Sequence, residues 1–242
     1  MVACSPRPRS SRSLFSFVPV LFAAVLLMTL VPVSAFAQLA DSKHWGVSVS
    51  FTPKWEAMDQ FRDVFIEEEG TIEGTEFTIG FARGSMRGGD WGVSFVRKPF
   101  KDGSTFSETS TDCDPAFGCF TSTRTLVFRQ VYLRGVEYHW SKPFVTFANR
   151  VQVGMNISAG AGFVEGNIEE THELTAPPPA PGFQDTFVGP AKDTLWPVYP
   201  LIKVEAEGSV AIAPGVKVKV SGGFNFPGIT ARIAAVYLIG SK

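Results

Sequence analysis

The triplet His139-Trp140-Ser141 sets an imidazole and a hydroxyl two residues apart. A nucleophilic serine needs a base within hydrogen-bond reach and a carboxylate to orient that base. Glu137, two residues before His139 and on the same face of an extended chain, supplies the carboxylate. Three residues make a short match, and the simpler reading is a polar turn beside an aromatic ring; the chain is expected not to be an enzyme. The acidic stretch Glu165–Glu173 holds Glu169, Glu170, His172 and Glu173, donors that a divalent cation can use. It lacks the defined turn glycines of calcium loops and reads as solvated loop, as do Glu67, Glu68 and Glu69. With three histidines in all and neither a CxxC nor an HExxH motif, no metal and no cofactor is expected.

Composition limits what can position these residues. The chain has 242 residues, with 22 basic and 23 acidic side chains and 45% apolar residues. That excludes a disordered chain and the basic face that nucleic acid requires. Arg7, Arg9 and Arg12 precede a long apolar run, Leu14 to Val33, which ends in Ala35-Phe36-Ala37. A basic start, an apolar middle and a small-x-small end form the pattern of an export signal cut after Ala37. Residues 1–37 are therefore expected to be a cleavable signal peptide and 38–242 one domain, with 19 basic against 23 acidic side chains. Cys4 leaves with the signal. Cys113 and Cys119 remain as a pair in an exported chain, with Pro115 and Gly118 between them to allow a reversal, so a disulfide with Cα atoms ~4.4–6.8 Å apart is expected.

After Gln38 the longest apolar run is Ile233 to Ile239, too short for a membrane helix. Alternation at period two, the strand signal, dominates instead. It is cleanest from Val151 to Phe163, where odd positions are apolar and even ones are Gln, Gly, Asn or Ser. Similar runs are Trp45–Phe51, Phe77–Arg83, Trp91–Arg97, Ile202–Ile212, Val216–Phe226 and Ile229–Ile239. An eighth, Leu126–Trp140, is interrupted by Gln130 and Arg134, which suggests a bulge that resets the face. The connections Thr52–Gly74, Lys98–Arg124 and Val164–Tyr199 are long, whereas Gly84–Asp90, Ser141–Arg150 and Ala213–Gly215 are short. Long connections at one end and short turns at the other are the asymmetry of an outer-membrane barrel. Pro227-Gly228, on the long side, departs from that trend.

Eight strands also fit a soluble lipocalin-like cup, apolar inside, that is periplasmic or secreted and binds an apolar ligand. The polar face argues otherwise: Gly154, Asn156, Ser158, Gly160 and Gly162 suit a narrow interior better than a solvated surface, since Gly and Asn are poor strand formers. Trp45, Trp91, Tyr138, Trp140 and Tyr237 map to the short-turn ends of the strands. Phe51, Phe77, Phe163, Tyr199, Phe224 and Phe226 map to the opposite ends. Two aromatic bands about a Val/Ile/Ala belt are the girdles of a bilayer barrel. The expected fold is thus an all-β, eight-stranded, antiparallel up-and-down transmembrane barrel.

In this pattern, residues 44–240 resemble the small outer-membrane barrels of the OmpA and OmpX type, with OmpW-like proteins nearby. The resemblance is one of pattern and not of a signature motif. It implies the cell outer membrane, reached by signal-directed export, with the bilayer, its lipopolysaccharide and the barrel-insertion machinery as partners. The C-terminal aromatic of those barrels is missing, the chain ending Tyr237-Leu238-Ile239-Gly240-Ser241-Lys242. Lipid A deacylases on such barrels use a His and a Ser spaced as His139 and Ser141 are, but facing the outer leaflet, whereas this triplet falls at the short-turn end. Side chains fill an eight-stranded lumen. The role is therefore expected to be structural, adhesive or ligand-binding, carried by the long loops, and not that of a wide pore.

The interior charges can be placed by register. A three-residue turn pairing Ile212 with Val216 sets Glu205 opposite Gly223 and puts Gly215 in the left-handed region. A hairpin closed by Pro227-Gly228 then sets Gly223 opposite Arg232. A charge in a filled lumen needs a partner. Arg232 is expected to pair with Glu205 or Glu207, with Lys203 and Lys219 completing the network.

Overall fold

The computed structural model describes residues 43–58, 70–114, 118–148, 150–175 and 182–240. The expected export signal, Glu67–Glu69, the prolines Pro177–Pro179 of a stretch expected as stiff exposed loop, and the last two residues lie outside the described residues. The described residues form ten strands: β1 (His44–Glu56), β2 (Glu73–Gly84), β3 (Asp90–Pro99), β4 (Thr105–Asp114), β5 (Gly118–Phe147), β6 (Val151–Thr175), β7 (Phe183–Pro190), β8 (Val198–Ala213), β9 (Val216–Asn225) and β10 (Gly228–Leu238). One helical turn, α1 (Ala191–Thr194), lies between β7 and β8.

Eight of these strands close an antiparallel up-and-down barrel, β1-β2-β3-β5-β6-β8-β9-β10, with β10 returning to β1. They coincide with the eight periodic runs of the sequence. The alternation becomes two surfaces of inverted polarity. Val49, Ile79, Phe81, Phe95, Val136, Val204 and Ile233 are exposed on the outside, while Ser50, Thr78, Ser94, Asn156, Ser158 and Ser221 are buried inside. In β5 the register shifts between Arg129 and Tyr132, with Gln130 at φ 55°. Above this bulge the even positions Leu126 and Phe128 point inward; below it Val136, Tyr138 and Trp140 point outward. One apolar parity thus serves two opposite faces.

Two of the three long connections are not loops. β5 and β6 run for 30 and 25 residues, well beyond the barrel. Their upper halves pair with each other, and β4 and β7 are added at the edges, making a four-stranded sheet that rises from the long-loop end. Thr105–Thr111 and Thr121–Thr125 are rich in Ser and Thr. These residues are polar, but threonine is β-branched and fits a pleated backbone. Thr109 and Thr123, Thr111 and Thr121, and Thr171 and Thr186 share hydroxyl hydrogen bonds at 3.2–3.3 Å across the strands. Cys113 and Cys119 form a disulfide at the β4–β5 tip. Their Cα atoms are 3.9 Å apart, closer than expected, and the two residues are cross-strand partners and not ends of an irregular loop.

The apolar core lies where this sheet meets the barrel. Trp55, Ile72, Phe100, Phe106, Leu126, Phe128, Ile168, Leu195 and Tyr199 form a buried cluster. Its rings meet edge to face (Trp55–Phe100 at 5.4 Å, Phe100–Phe128 at 5.6 Å). This cluster caps the barrel mouth and corrects part of the expected aromatic band. Tyr199 is fully buried in the cap, and Phe226 packs half-buried against it. Phe224 is half-buried. Phe51, Phe77 and Phe163 do point outward, as do Trp45, Tyr138, Trp140 and Tyr237 at the other rim, with Trp91 half-buried beside them. Trp45 and Trp91 meet edge to face at 5.8 Å, and Phe51 and Phe77 lie 4.8 Å apart.

Candidate functional site

The lumen is packed with ionisable side chains. Five acids (Glu76, Asp90, Glu137, Glu205, Glu207) and six bases (Lys98, Arg150, Lys203, Lys217, Lys219, Arg232) are buried among the described residues. Such charges are tolerable only when paired and hydrogen-bonded, because desolvation costs several kcal/mol per ion, on the order of the attraction it must be set against. Three tiers meet that condition.

In the middle tier, Arg232 Nη2 lies 2.6 Å from Glu205 Oε2. The same oxygen accepts from Asn156 at 3.1 Å and Ser221 at 3.0 Å. The expected register holds for β8–β9, where Glu205 faces Gly223, although a bulge makes Ala213, not Ile212, the partner of Val216. Gly215 occupies the left-handed region at φ 76°. The β9–β10 register differs by two residues: the hairpin closes on Asn225–Gly228, so Gly223 faces Thr230 and Arg232 faces Ser221. Arg232 still reaches Glu205 because its side chain is long, and Ser221 Oγ accepts from its Nε at 3.2 Å. Gly223 leaves no room for a side chain: a Cβ there would lie 2.5 Å from the Val204 carbonyl oxygen.

The two lysines of the expected network also point inward; Lys219 meets Glu207 of that network and adds Asp90, whereas Lys203 takes Glu76 and Glu137, which the network did not include. Lys203 bridges Glu76 and Glu137, the latter at 2.8 Å, across the barrel. Asn225 donates to Glu76 at 3.1 Å, and Lys98, 3.6 Å from the same carboxylate, lies over the Trp55 ring at 4.6 Å. This upper tier joins the lumen to the apolar cap. Lys219 bridges Asp90 at 2.7 Å and Glu207 at 3.2 Å. In the lowest tier, Lys217 donates to the carbonyls of Ser85 at 3.2 Å and Gly88 at 2.8 Å, holding the β2–β3 turn in the barrel mouth. Parity carried one step further would have found most of these groups: Glu76, Asp90 and Lys98 share the inward phase of Thr78 and Ser94.

The His139-Trp140-Ser141 triplet does not assemble as a nucleophile and base. Ser141 donates to Glu207 at 2.6 Å, and Glu137 is committed to Lys203. His139 instead has Ser94 Oγ 3.4 Å from Nδ1 and Asp90 Oδ1 3.8 Å from Nε2. The cavity beside it has a volume of about 20 Å³, room for roughly one water molecule.

The acidic stretch of residues 165–173 is strand, not loop, and three of its carboxylates carry ion pairs. Glu165 lies 3.3 Å from Arg134, Glu169 2.9 Å from Arg129, and Glu170 2.7 Å from Arg124 and 2.8 Å from His172. Burial alone would raise the Glu170 carboxyl, but the Arg124 hydrogen bond and charge, with His172, hold it below the usual carboxylate range. At the β1–β2 end, hydrogen bonds from Lys101 and then Lys54 lower Glu73. No group of three or more His, Cys, Asp or Glu among the described residues is arranged to hold a metal ion.

No protein-family model matches the chain, and no curated protein matches it. Among solved structures it is similar to Ail, the attachment invasion locus protein of Yersinia pestis, solved with the heparin analogue sucrose octasulfate. That likeness has 8% identity and a TM-score of 0.28, and covers 81% of this chain and 98% of Ail. It is also similar to the translocator domain of the autotransporter NalP from Neisseria meningitidis, at 10% identity and a TM-score of 0.29, covering 92% and 97% of the two chains. Likeness at this level leaves the assignment to the barrel's own polarity.

Proposed function

We propose that this chain is an integral outer-membrane β-barrel, delivered by a cleaved N-terminal signal and placed by the barrel-insertion machinery. It acts as a sealed anchor that holds the β4–β7 sheet at the cell surface. The observation that carries this reading is the inverted polarity: an exposed apolar exterior surrounds a buried, charged interior. A soluble barrel presenting so much contiguous apolar surface would aggregate, whereas hydrocarbon accepts it. A lipocalin-like cup needs the opposite arrangement. With an apolar cap above, a packed network within and a turn folded into the lower mouth, the barrel is not a wide pore. The sheet is the part free to contact an extracellular partner, in a structural, adhesive or ligand-binding role. The small OmpA- and OmpX-type barrels remain the pattern it fits best.

Mature protein should therefore fractionate with the outer membrane, resist carbonate extraction, dissolve in detergent, and run faster unheated than boiled on a gel. Ser141→Ala should leave all of this and the acyl content of lipid A unchanged, because its hydroxyl serves Glu207. Recovery of the wild type in the soluble fraction, or an acyl content that depends on Ser141, contradicts the reading.

A further inference from the structure

Most cations at the long-loop rim, among the described residues, are neutralised by carboxylates. Lys54, Lys101, Arg124, Arg129 and Arg134 each lie within 3.3 Å of a glutamate. Arg97, exposed on the outside of β3, has none among the described residues. Its guanidinium sits over the Tyr132 ring, 5.0 Å from the centroid. Arg134 stacks on the same ring at 5.2 Å. The two arginines are direct cross-strand partners in the β3–β5 register. Like charges directly opposite each other on a sheet are destabilising, and Glu165, which lies beside Arg134, offsets only one of them.

The surroundings identify what would offset the other. Arg97 faces Phe77 across β2–β3, Phe77 faces Phe51, and Arg134 faces Phe163 across β5–β6. The arginine pair is thus set in an outward-facing row of exposed phenylalanines. An anion bound there must tolerate hydrocarbon on either side. Guanidinium forks match phosphate oxygens with paired hydrogen bonds, and stacking on Tyr132 pre-orients the fork of Arg97, while Arg134 is held by Glu165 at 3.3 Å and donates to the Tyr132 hydroxyl at 3.2 Å.

We infer that Arg97, held on Tyr132 beside Arg134, binds the phosphate of an acyl-chain lipid whose chains lie along the phenylalanine row. The inference rests on the membrane reading and specifies the lipid chemistry the rim prefers. Phosphate is the shared chemistry of a lipid headgroup and free inorganic phosphate, and the apolar flanks select the lipid.

The test is native mass spectrometry of the full mature chain in neutral detergent, titrated with dimyristoyl phosphatidic acid, with dimyristoylglycerol, and with inorganic phosphate as competitor. The wild type should retain phosphatidic acid over dimyristoylglycerol. Arg97→Gln should weaken that preference about tenfold, the loss of roughly one charge-assisted contact. Arg83→Gln, at the opposite rim and stacked on Trp45, should not weaken it. Equal retention by wild type and Arg97→Gln, or equal loss in Arg97→Gln and Arg83→Gln, refutes the site while leaving the barrel in its membrane. Displacement by inorganic phosphate at matched concentration also overturns the lipid assignment. A wild type that needs no detergent and retains neither lipid fails earlier, at the membrane reading itself.

Discussion

Arg232→Leu should destabilise the barrel by about 3–5 kcal/mol, the usual cost of removing one member of a buried ion pair. Glu205 would stay buried, with only Asn156 and Ser221 left to satisfy its charge. Glu205→Leu should cost a similar amount by stranding Arg232. The double variant should be far less destabilised than the sum, because no unpaired charge remains. Urea unfolding of the mature chain in detergent measures all three. Additive single effects would show that the two residues do not meet inside the lumen.

Phe95→Arg should destabilise the inserted protein by about 2–4 kcal/mol, the penalty for arginine on the lipid face near the bilayer midplane. Phe95 is 46% exposed and pairs with Ile79 and Val136 in the middle of the apolar exterior. On the surface of a soluble protein the same exchange would fall within about 0.5 kcal/mol of neutral. The measurement is unfolding from lipid vesicles, compared with Ser107→Arg on the outer face of the extended sheet, which should change little. A neutral Phe95→Arg would mean that this face meets water.

The barrel was legible in the sequence because its two surfaces need opposite chemistry, and period two records that need residue by residue. Gly154, Asn156 and Ser158 carried the inside-out assignment, and Gln130 and Arg134 marked the bulge. The extended sheet was hidden for the complementary reason. Both faces of β4 and upper β5 carry polar groups, so Thr109, Thr111, Thr121 and Thr123 show no alternation and read as loop. Contacts between hairpin neighbours could be derived, as with Glu205 and Gly223. Contacts across the lumen could not. Lys203 meets Glu76 only after eight strands close and stagger, and local spacing carries no record of that. The β9–β10 register differs by two residues because Phe226 and Pro227 make the turn and Gly228 already begins β10, whereas the sequence alone points to Pro227-Gly228 as the whole turn. The position of Tyr199 and Phe226 near strand ends points to the rim, because it carries no sign that the sheet above has an apolar core of its own.

The polarity of the barrel can be tested with the native tryptophans. Trp45 and Trp140 are exposed on the outside, whereas Trp55 is fully buried in the cap. Single-tryptophan variants, with the other tryptophans changed to phenylalanine, should be reconstituted in vesicles whose acyl chains are brominated near the headgroup. Bromine should quench the Trp45-only and Trp140-only proteins strongly and leave the Trp55-only protein bright. Emission from Trp45 and Trp140 that ignores bromine yet is quenched by aqueous iodide would contradict the account, because it would place the apolar exterior in water.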